Sequence, residues 1–411
     1  GIPCVNYGEI HSKYGFKVNP EKDELLCVDE KYLETNPSSL LSNGHFVFAD
    51  TSEDIEGSGN FTHLIGNHKI FAGYHTIVSR LKINAHPRYV AYFFDSVAYR
   101  NQIRSEVQGV KVFSITNKIL KDTILFFPEL TEQVTIANHL DYQTQKIDRL
   151  IANKKAQAEK LKELRQLEIN NAVTKGLNPN NEMKDSSYEW LGEIPSHWEV
   201  RKIKQLLKPE KNAIKTGPFG SDLKFEDLIE EGIKVYNQRS VLDNDWESGE
   251  GYISEKKYET LKTCTIYPDD IVITTRGTIG KVSIFPSNAE LGILHPCLMR
   301  IQMNSKRILK DYLKIIINDS SFFFEALKLA SNATTIDVIY SESLKEVKIP
   351  VPPIQEQIEI TSYLQKRIGS TDKLIKNIQV QIEKLQGLRK IKIYEAVTGK
   401  IKINAYVEAT A

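Results

Sequence analysis

The sequence has few cysteines, no excess of either charge and no long apolar run, and each shortage narrows what it can encode. Four cysteines (Cys4, Cys27, Cys264 and Cys297) stand far apart in 411 residues, with no C-x-x-C pair. That spacing suits neither a disulfide frame nor a zinc site, and it predicts free thiols in a reducing cytoplasm. No stretch of about 18 apolar residues occurs, so no membrane-spanning helix is predicted. Lys and Arg total 54 against 53 Asp and Glu, a net charge of +1. Such a balance does not advertise nucleic-acid binding, although a basic groove offset by acidic surface elsewhere gives the same total. The chain opens without a secretory leader, and because Gly1 is not an initiator residue the natural N-terminus is expected to lie upstream.

Catalytic patterns are also missing. No H-E-x-x-H or G-x-S-x-G occurs. Gly277-x-x-Gly280-Lys281 resembles part of a phosphate loop but has no Ser or Thr after the lysine. Val351-Pro352-Pro353-Ile354 lacks the polar first residue and the aromatic of an amino-methyltransferase box, and no Gly-rich loop for S-adenosylmethionine precedes it. Glu255-x-Lys257 lacks the nearby Pro-Asp of a nuclease site. The expectation is a chain that catalyses nothing and carries no cofactor of its own.

What the sequence does contain is one long stretch twice. Residues 132–174 and 356–398 align without a gap at a constant offset of 224. Glu132 matches Glu356, Leu140 matches Leu364, Asp148 matches Asp372, Leu161 matches Leu385 and Arg165 matches Arg389. The first copy has no Pro or Gly from Glu132 to Lys175, whereas the second carries Gly369 and Gly387, where it is expected to bend. Apolar residues recur at spacings of three, four and seven: Leu140, Ile147, Ile151, Ala158, Leu161 and Leu164, then Ile368, Ile375, Ile378, Ile382 and Leu385. One apolar stripe on an otherwise charged helix is a coiled-coil pattern. At ~1.5 Å per residue each helix would run roughly 60 Å. The fold class expected is α+β: two similar mixed α/β domains, pseudo-two-fold, separated by two long helices packed as an antiparallel coiled coil.

The remaining sequence divides around these helices. The expected order is a first variable domain over 1–129, a spacer helix over 130–178, a second variable domain over 179–353, a second spacer over 354–402 and a tail over 403–411. Strand-like runs at Phe46–Ala49, Lys69–Ala72 and Thr76–Val78 are followed by an aromatic, helix-like stretch from Tyr89 to Asn101. Ile271–Thr275, Val282–Phe285 and Cys297–Ile301 are the strand-like runs of the second domain. The variable regions echo one another: Gly1-Ile2 and Asn6 with Gly232-Ile233 and Asn237, Phe46-Val47-Phe48 with Ile271-Val272-Ile273, Gly73 and His75 with Gly292 and His295. On that alignment the first copy lacks the counterpart of Trp190–Glu231, about 40 residues.

The order of motifs resembles the specificity subunit of type I restriction–modification enzymes. Leu191-Gly192-Glu193-Ile194-Pro195-Ser196-His197-Trp198 opens a half, followed by Lys215-Thr216-Gly217-Pro218-Phe219-Gly220-Ser221 and Arg276-Gly277-Thr278-Ile279-Gly280. Ile349-Pro350-Val351-Pro352-Pro353-Ile354-Gln355-Glu356-Gln357 leads into the helix. The resemblance implies two target-recognition domains, each reading half of a split double-stranded DNA site. It also implies methyltransferase subunits, two of them, docked on the helices, with restriction and translocation subunits joining through the complex. Methylation, ATP hydrolysis and cleavage would belong to those partners. The first half lacks a Gly-Pro-Phe-Gly-Ser equivalent. From another class, a coiled-coil adaptor that reads no DNA accounts for the helices alone.

For DNA contact, Arg276 in its Gly turn can reach a guanine edge or a phosphate, or equally pair with a carboxylate. Lys215, Thr216 and Ser221 flank a turn whose backbone can approach DNA closely or simply shape the fold. Arg239 and Lys281 are further cations on the same domain. In the first domain Tyr7, His11 and Lys13 combine aromatic, donor and cation, as contact residues or as loop builders. His75 and His295 are expected to serve the fold. Lys373, Lys376, Lys384 and Arg389 of the second helix form either a solvated face or a partner surface.

Overall fold

A computed structural model describes residues 1–109 and 111–403. The chain forms two compact units, one from Gly1–Gln157 with Ile378–Ala411, the other from Ala158–Asn377. Each unit therefore owns a mixed α/β domain and part of both long helices.

Those helices are Leu130–Lys175 and Ile354–Val397, 46 and 44 residues. Gly369 and Gly387 sit inside the second without ending it, with open space where side chains would stand. The first stops before Gly176, whose φ of +76° is a left-handed value that glycine adopts freely. Pairing within the second unit is antiparallel. Arg165 meets Asp372 at 3.2 Å, and one turn further on Glu168 meets the lower-numbered Arg367 at 2.7 Å. The first unit repeats the pairing, with Arg389 and Asp148 at 3.2 Å.

The expected apolar stripe holds at Leu140, Ile147, Ile378 and Ile382, all buried. It fails at Leu164, which is 60% exposed. Along this part of the first helix the inward face belongs to Ile169, Ala172 and Val173, which pack into the core of the second domain. Ile360 and Leu364 of the opposite helix join the same core, so domain and helix together set the stripe there.

The two domains use one sheet plan. In the first unit one sheet runs Leu26–Val28, Ile2–Val5, Ile70–Ala72, Leu40–Leu41; in the second the order is Gly251–Ile253, Ile233–Tyr236, Gly292–Leu294, Thr265–Ile266. The inner pair is parallel in both. A second sheet places Phe46–Ala49 between Phe61–Leu64 and Thr76–Ser79, matching Ile271–Thr274 between Val282–Ile284 and Leu298–Ile301. The edges differ. Phe16–Val18 adds parallel to Phe61–Leu64 in the first unit, whereas Ile214–Thr216 adds antiparallel to Leu298–Ile301 in the second.

Register corrects one expected echo. The Gly73 N–H donates to Val5 O at 2.8 Å, and the His295 N–H donates to Tyr236 O at 2.9 Å. Gly73 therefore matches His295 rather than Gly292, and His75 does not match His295. Ladder bonds between parallel strands set this correspondence, and likeness of side chains misplaces it by three residues at Gly73 and two at His75.

The aromatic stretch forms two helices, Pro87–Asp95 and Val97–Glu106, broken at Ser96, whose hydroxyl accepts the Tyr99 N–H. Its rings fill the first core. Tyr89 is buried, with its hydroxyl donating to Phe126 O at 2.7 Å and Val397 O at 3.4 Å. Tyr312 in the second unit does the same with Pro350 O at 3.4 Å and Val173 O at 3.3 Å. In both units this phenol ties the domain helix to the end of a long helix.

Candidate nucleic-acid interface

Topology gathers loops at one end of each domain. In the second unit, Ile214–Thr216 and Ile271–Thr274 both run antiparallel to Leu298–Ile301, with Thr216 opposite Met299 and Thr274 opposite Leu298. Tyr236 ends its strand beside Leu294 in the neighbouring sheet. Residues 217–221, 237–239, 275–281 and 295–297 therefore leave the sheets at a common end. Backbone bonds stitch them together: Gly217 N–H to Leu298 O and Thr275 N–H to Cys297 O, each 2.8 Å. The Gln238 side-chain amide adds a bond to Thr278 O at 3.0 Å.

Two glycine features shape this end. A side chain on Gly217 would put its first carbon 2.1 Å from His295 O, so only glycine lets the two segments touch. Gly277 and Gly280, with φ of +68° and +72°, turn the chain tightly between Ile271–Thr274 and Val282–Ile284. Arg276 is lifted into solvent by that turn.

The structure brings most of the second-domain candidates together here. Ser221, Arg239, Arg276 and Lys281 are exposed, and Lys215 and Thr216 are half-buried at the strand end. Among the described residues, Lys215, Arg239, Arg276 and Lys281 enter no ion pair, whereas Lys234, Lys257 and Arg300 of the same domain do. Beneath them His295 Nδ1 lies 3.0 Å from Cys297 Sγ. Burial lowers the pKa of the imidazole and raises that of the thiol, so both stay neutral. His295 is thus half-buried against Cys297 beneath the loop ends.

The equivalent end of the first unit is made by residues 6–8, 50–60 and 73–75, and its chemistry differs. The Tyr7 ring lies 5.5 Å from both Tyr74 and His75. His75 Nδ1 approaches Asp50 at 3.2 Å. A cavity of about 650 Å3 opens beside Tyr7, lined by Glu53, Asp54 and Glu56. His11 is engaged inside the unit: Nε2 bonds Thr51 O and Nδ1 bonds the Asn60 amide, both at 2.8 Å. Both ring nitrogens being spent, His11 braces the 50–60 loop rather than reaching for a base. Lys13 is exposed and caps the C-terminal end of helix Tyr7–Ser12, the opposite end from Tyr7.

On the second long helix Lys373, Lys376 and Lys384 are exposed. Arg389 is not available with them, because its guanidinium bonds Asp95 at 2.9 Å and Asp148 at 3.2 Å. Sequence reasoning missed Tyr74, Gln238 and Phe219 at these loop ends. Tyr74 could have been found from its place between Gly73 and His75; Gln238 and Phe219 carry no signal without the strand register. Among the described residues no helix is long and apolar enough to cross a membrane.

Known proteins share sequence and fold with this chain. A family profile described as the type I restriction modification DNA specificity domain matches residues 195–384. The chain is 26% identical over 322 residues to the type I restriction enzyme MjaVIII specificity subunit of Methanocaldococcus jannaschii, covering 76% of this chain and 70% of that protein. It is 23% identical over 316 residues to the EcoBI specificity subunit of Escherichia coli, covering 74% of this chain and 64% of that protein. Two solved structures share the fold. A chain from a study of complex assembly in the type I R-M system matches with TM-score 0.72 and 14% identity, covering 97% of this chain and 92% of that one. The HsdS subunit from Thermoanaerobacter tengcongensis matches with TM-score 0.53 and 16% identity, covering 97% and 91%.

Proposed function

We infer that this chain belongs to the specificity subunits of type I restriction–modification enzymes and that it reads a split double-stranded DNA site, one half per unit. The observation that carries this is one frame built twice with different loop ends. Arg165 with Asp319 and Asp372, and Arg389 with Asp95 and Asp148, hold the same positions in the two units. The ends they support differ: a cationic end with Arg276, Arg239, Lys215 and Lys281, and an end of Tyr7, Tyr74 and His75 above carboxylates. An invariant frame with variable ends suits a protein whose halves read different sequences. A coiled-coil adaptor has no use for unpaired arginines at the convergence of four loops.

In this reading Arg276 addresses a base edge, while Lys215, Thr216, Ser221, Arg239 and Lys281 fix phosphates and register. In the first unit Tyr7 lies against the duplex, Lys13 takes a phosphate, and His11 acts through the loop it braces. Methyltransferase subunits, one for each half-site, dock along the long helices with Lys373, Lys376 and Lys384 in contact, and restriction subunits join through them. Methylation of the DNA is the partners' chemistry.

The test is selection from a random duplex library by the full chain together with its methyltransferase subunits. Two short motifs at one fixed spacing are expected. Recovery of no motif in the presence of the partner overturns the reading and leaves the adaptor. Replacing Lys373, Lys376 and Lys384 with Glu is expected to weaken co-purification of the partner.

A further inference from the structure

The cationic loop end of the second unit also presents one large apolar side chain. Phe219 is 79% exposed at the tip of the segment that follows Thr216. Its backbone is held on both sides. Gly217 packs against His295 O in a space that admits no side chain. Pro218 is buried, and its ring fixes φ where the turn begins. On the other side the Phe219 carbonyl accepts the N–H groups of Asp222 at 2.8 Å and Leu223 at 3.2 Å. Leu223 is itself buried among Val235, Ile253, Leu261 and Ile293. The loop is therefore anchored at Gly217, Pro218 and Leu223, and Phe219 projects from a fixed base into solvent.

Its surroundings argue for a polyanion. Lys215 lies at the root of the loop, and Lys224 follows it, exposed. Gly217, through its bond to Leu298, ties the loop to the segment whose Cys297 carbonyl holds Thr275, next to Arg276. Asp222 is exposed on the same loop, but the cations Lys215, Lys224 and Arg276 flank it, and a rigid apolar tip with basic residues to either side matches the way proteins insert Phe, Leu or Ile between base pairs while basic residues hold the backbone.

We propose that Phe219 is a wedge that enters the base stack of the bound duplex and unstacks one step at the edge of the half-site read by the second unit. The proposal rests on the DNA-reading function inferred above. It adds an indirect component to recognition: steps that unstack readily are favoured at a position where no hydrogen bond reads the base.

The test uses the full chain with its methyltransferase subunits and the duplex recovered by library selection, carrying 2-aminopurine at successive positions along the second half-site. The native chain should raise the fluorescence at one step. Phe219→Ala should abolish that rise and weaken binding on the order of tenfold, while leaving the slope of log affinity against log salt unchanged, because no phosphate contact is lost. Phe219→Trp should keep both affinity and signal. Phe225→Ala, which removes another exposed ring (87% exposed) six residues on, should change neither. A native complex with no enhanced step, or Phe219→Ala binding as the native chain does, overturns the wedge while the selected site still stands. If Phe219→Ala loses affinity only when the methyltransferase is present and the fluorescence pattern persists, the ring contacts protein and the wedge is likewise overturned. Failure to select any duplex is the separate outcome that overturns the function on which the wedge rests.

Discussion

Arg389 bonds Asp95 at 2.9 Å, and 224 residues earlier in the chain Arg165 bonds Asp319 at the same distance. Each guanidinium also reaches an aspartate of the opposite long helix at 3.2 Å, Asp148 for Arg389 and Asp372 for Arg165. One arginine thus joins three elements in each unit.

Removing Arg389 leaves Asp95 with Arg100 alone, at 3.2 Å, and removing Arg165 takes from Asp319 its ion-pair partner. Arg389→Ala is expected to destabilise the first unit by roughly 2–3 kcal/mol. In a urea-unfolding double-mutant cycle with Asp95→Ala the two losses should be clearly less than additive. Hydrogen exchange should place the change in 1–157 and 378–403, and Arg165→Ala should place it in 158–377.

The buried phenols predict alkaline sensitivity. Burial pushes Tyr89 and Tyr99 up to about 12, and Tyr312 well above its ordinary value. Folded phenols keep their protons where unfolded ones ionise, near pH 10. Their contribution is complete below pH 10 and declines as pH rises from 10 to 12. Near-ultraviolet titration should show these tyrosines ionising only as the chain unfolds, and Tyr89→Phe should cost about 1 kcal/mol at neutral pH.

His63 predicts the opposite limb. It is buried, with Nδ1 bonded to Phe16 O at 2.9 Å, and desolvation, helped by Arg88 and Lys17, lowers its pKa to about 4. The unfolded chain takes up that proton near pH 6.5. Stability is complete above 6.5 and falls as pH drops towards 4, by about 3 kcal/mol in all. The His63→Gln chain should unfold in urea with a flatter profile between those two values.

Gly217→Ala tests the close approach at the loop end. Its added carbon meets backbone atoms of His295, which can yield only if the strand ends separate. A loss of roughly 1–3 kcal/mol in stability and a larger loss in duplex affinity are expected, measured by urea unfolding and by titration of the selected site.

Arg276→Ala and Lys281→Ala should differ in kind. Loss of a base contact relaxes preference at one position, at about 1–3 kcal/mol. Loss of a phosphate contact weakens all sequences alike and lowers the salt slope by about one. Selection profiles and salt titrations on the two variants separate these outcomes.

Much of the frame was legible because it is written twice. The offset of 224 marks both long helices, and the strands Phe46–Ala49 and Ile271–Thr274 follow from their β-branched and aromatic runs. The loop ends were legible only in part. Arg276 and Lys215 announce themselves through flanking glycines, and Tyr74 through its place between Gly73 and His75, but Gln238 and Phe219 gain meaning from which strands are neighbours, and strand pairing leaves no local mark. The brace formed by His11 depends on Thr51 and Asn60, 40 and 49 residues away in sequence. The outward turn of Leu164 reflects a contact between helix and domain that periodicity alone does not encode.

The division of the chain into units has a consequence for its biosynthesis. The second unit is one unbroken stretch, Ala158–Asn377, and has all its parts once that stretch has left the ribosome. The first unit is emitted earlier but lacks Ile393, Ala396 and Val397, which complete its core. It must wait through more than 200 residues of synthesis for them. Vectorial folding therefore runs against chain order: the later domain closes first, while the aromatic core around Tyr89 and Phe93 stays open to chaperones until the last helix emerges.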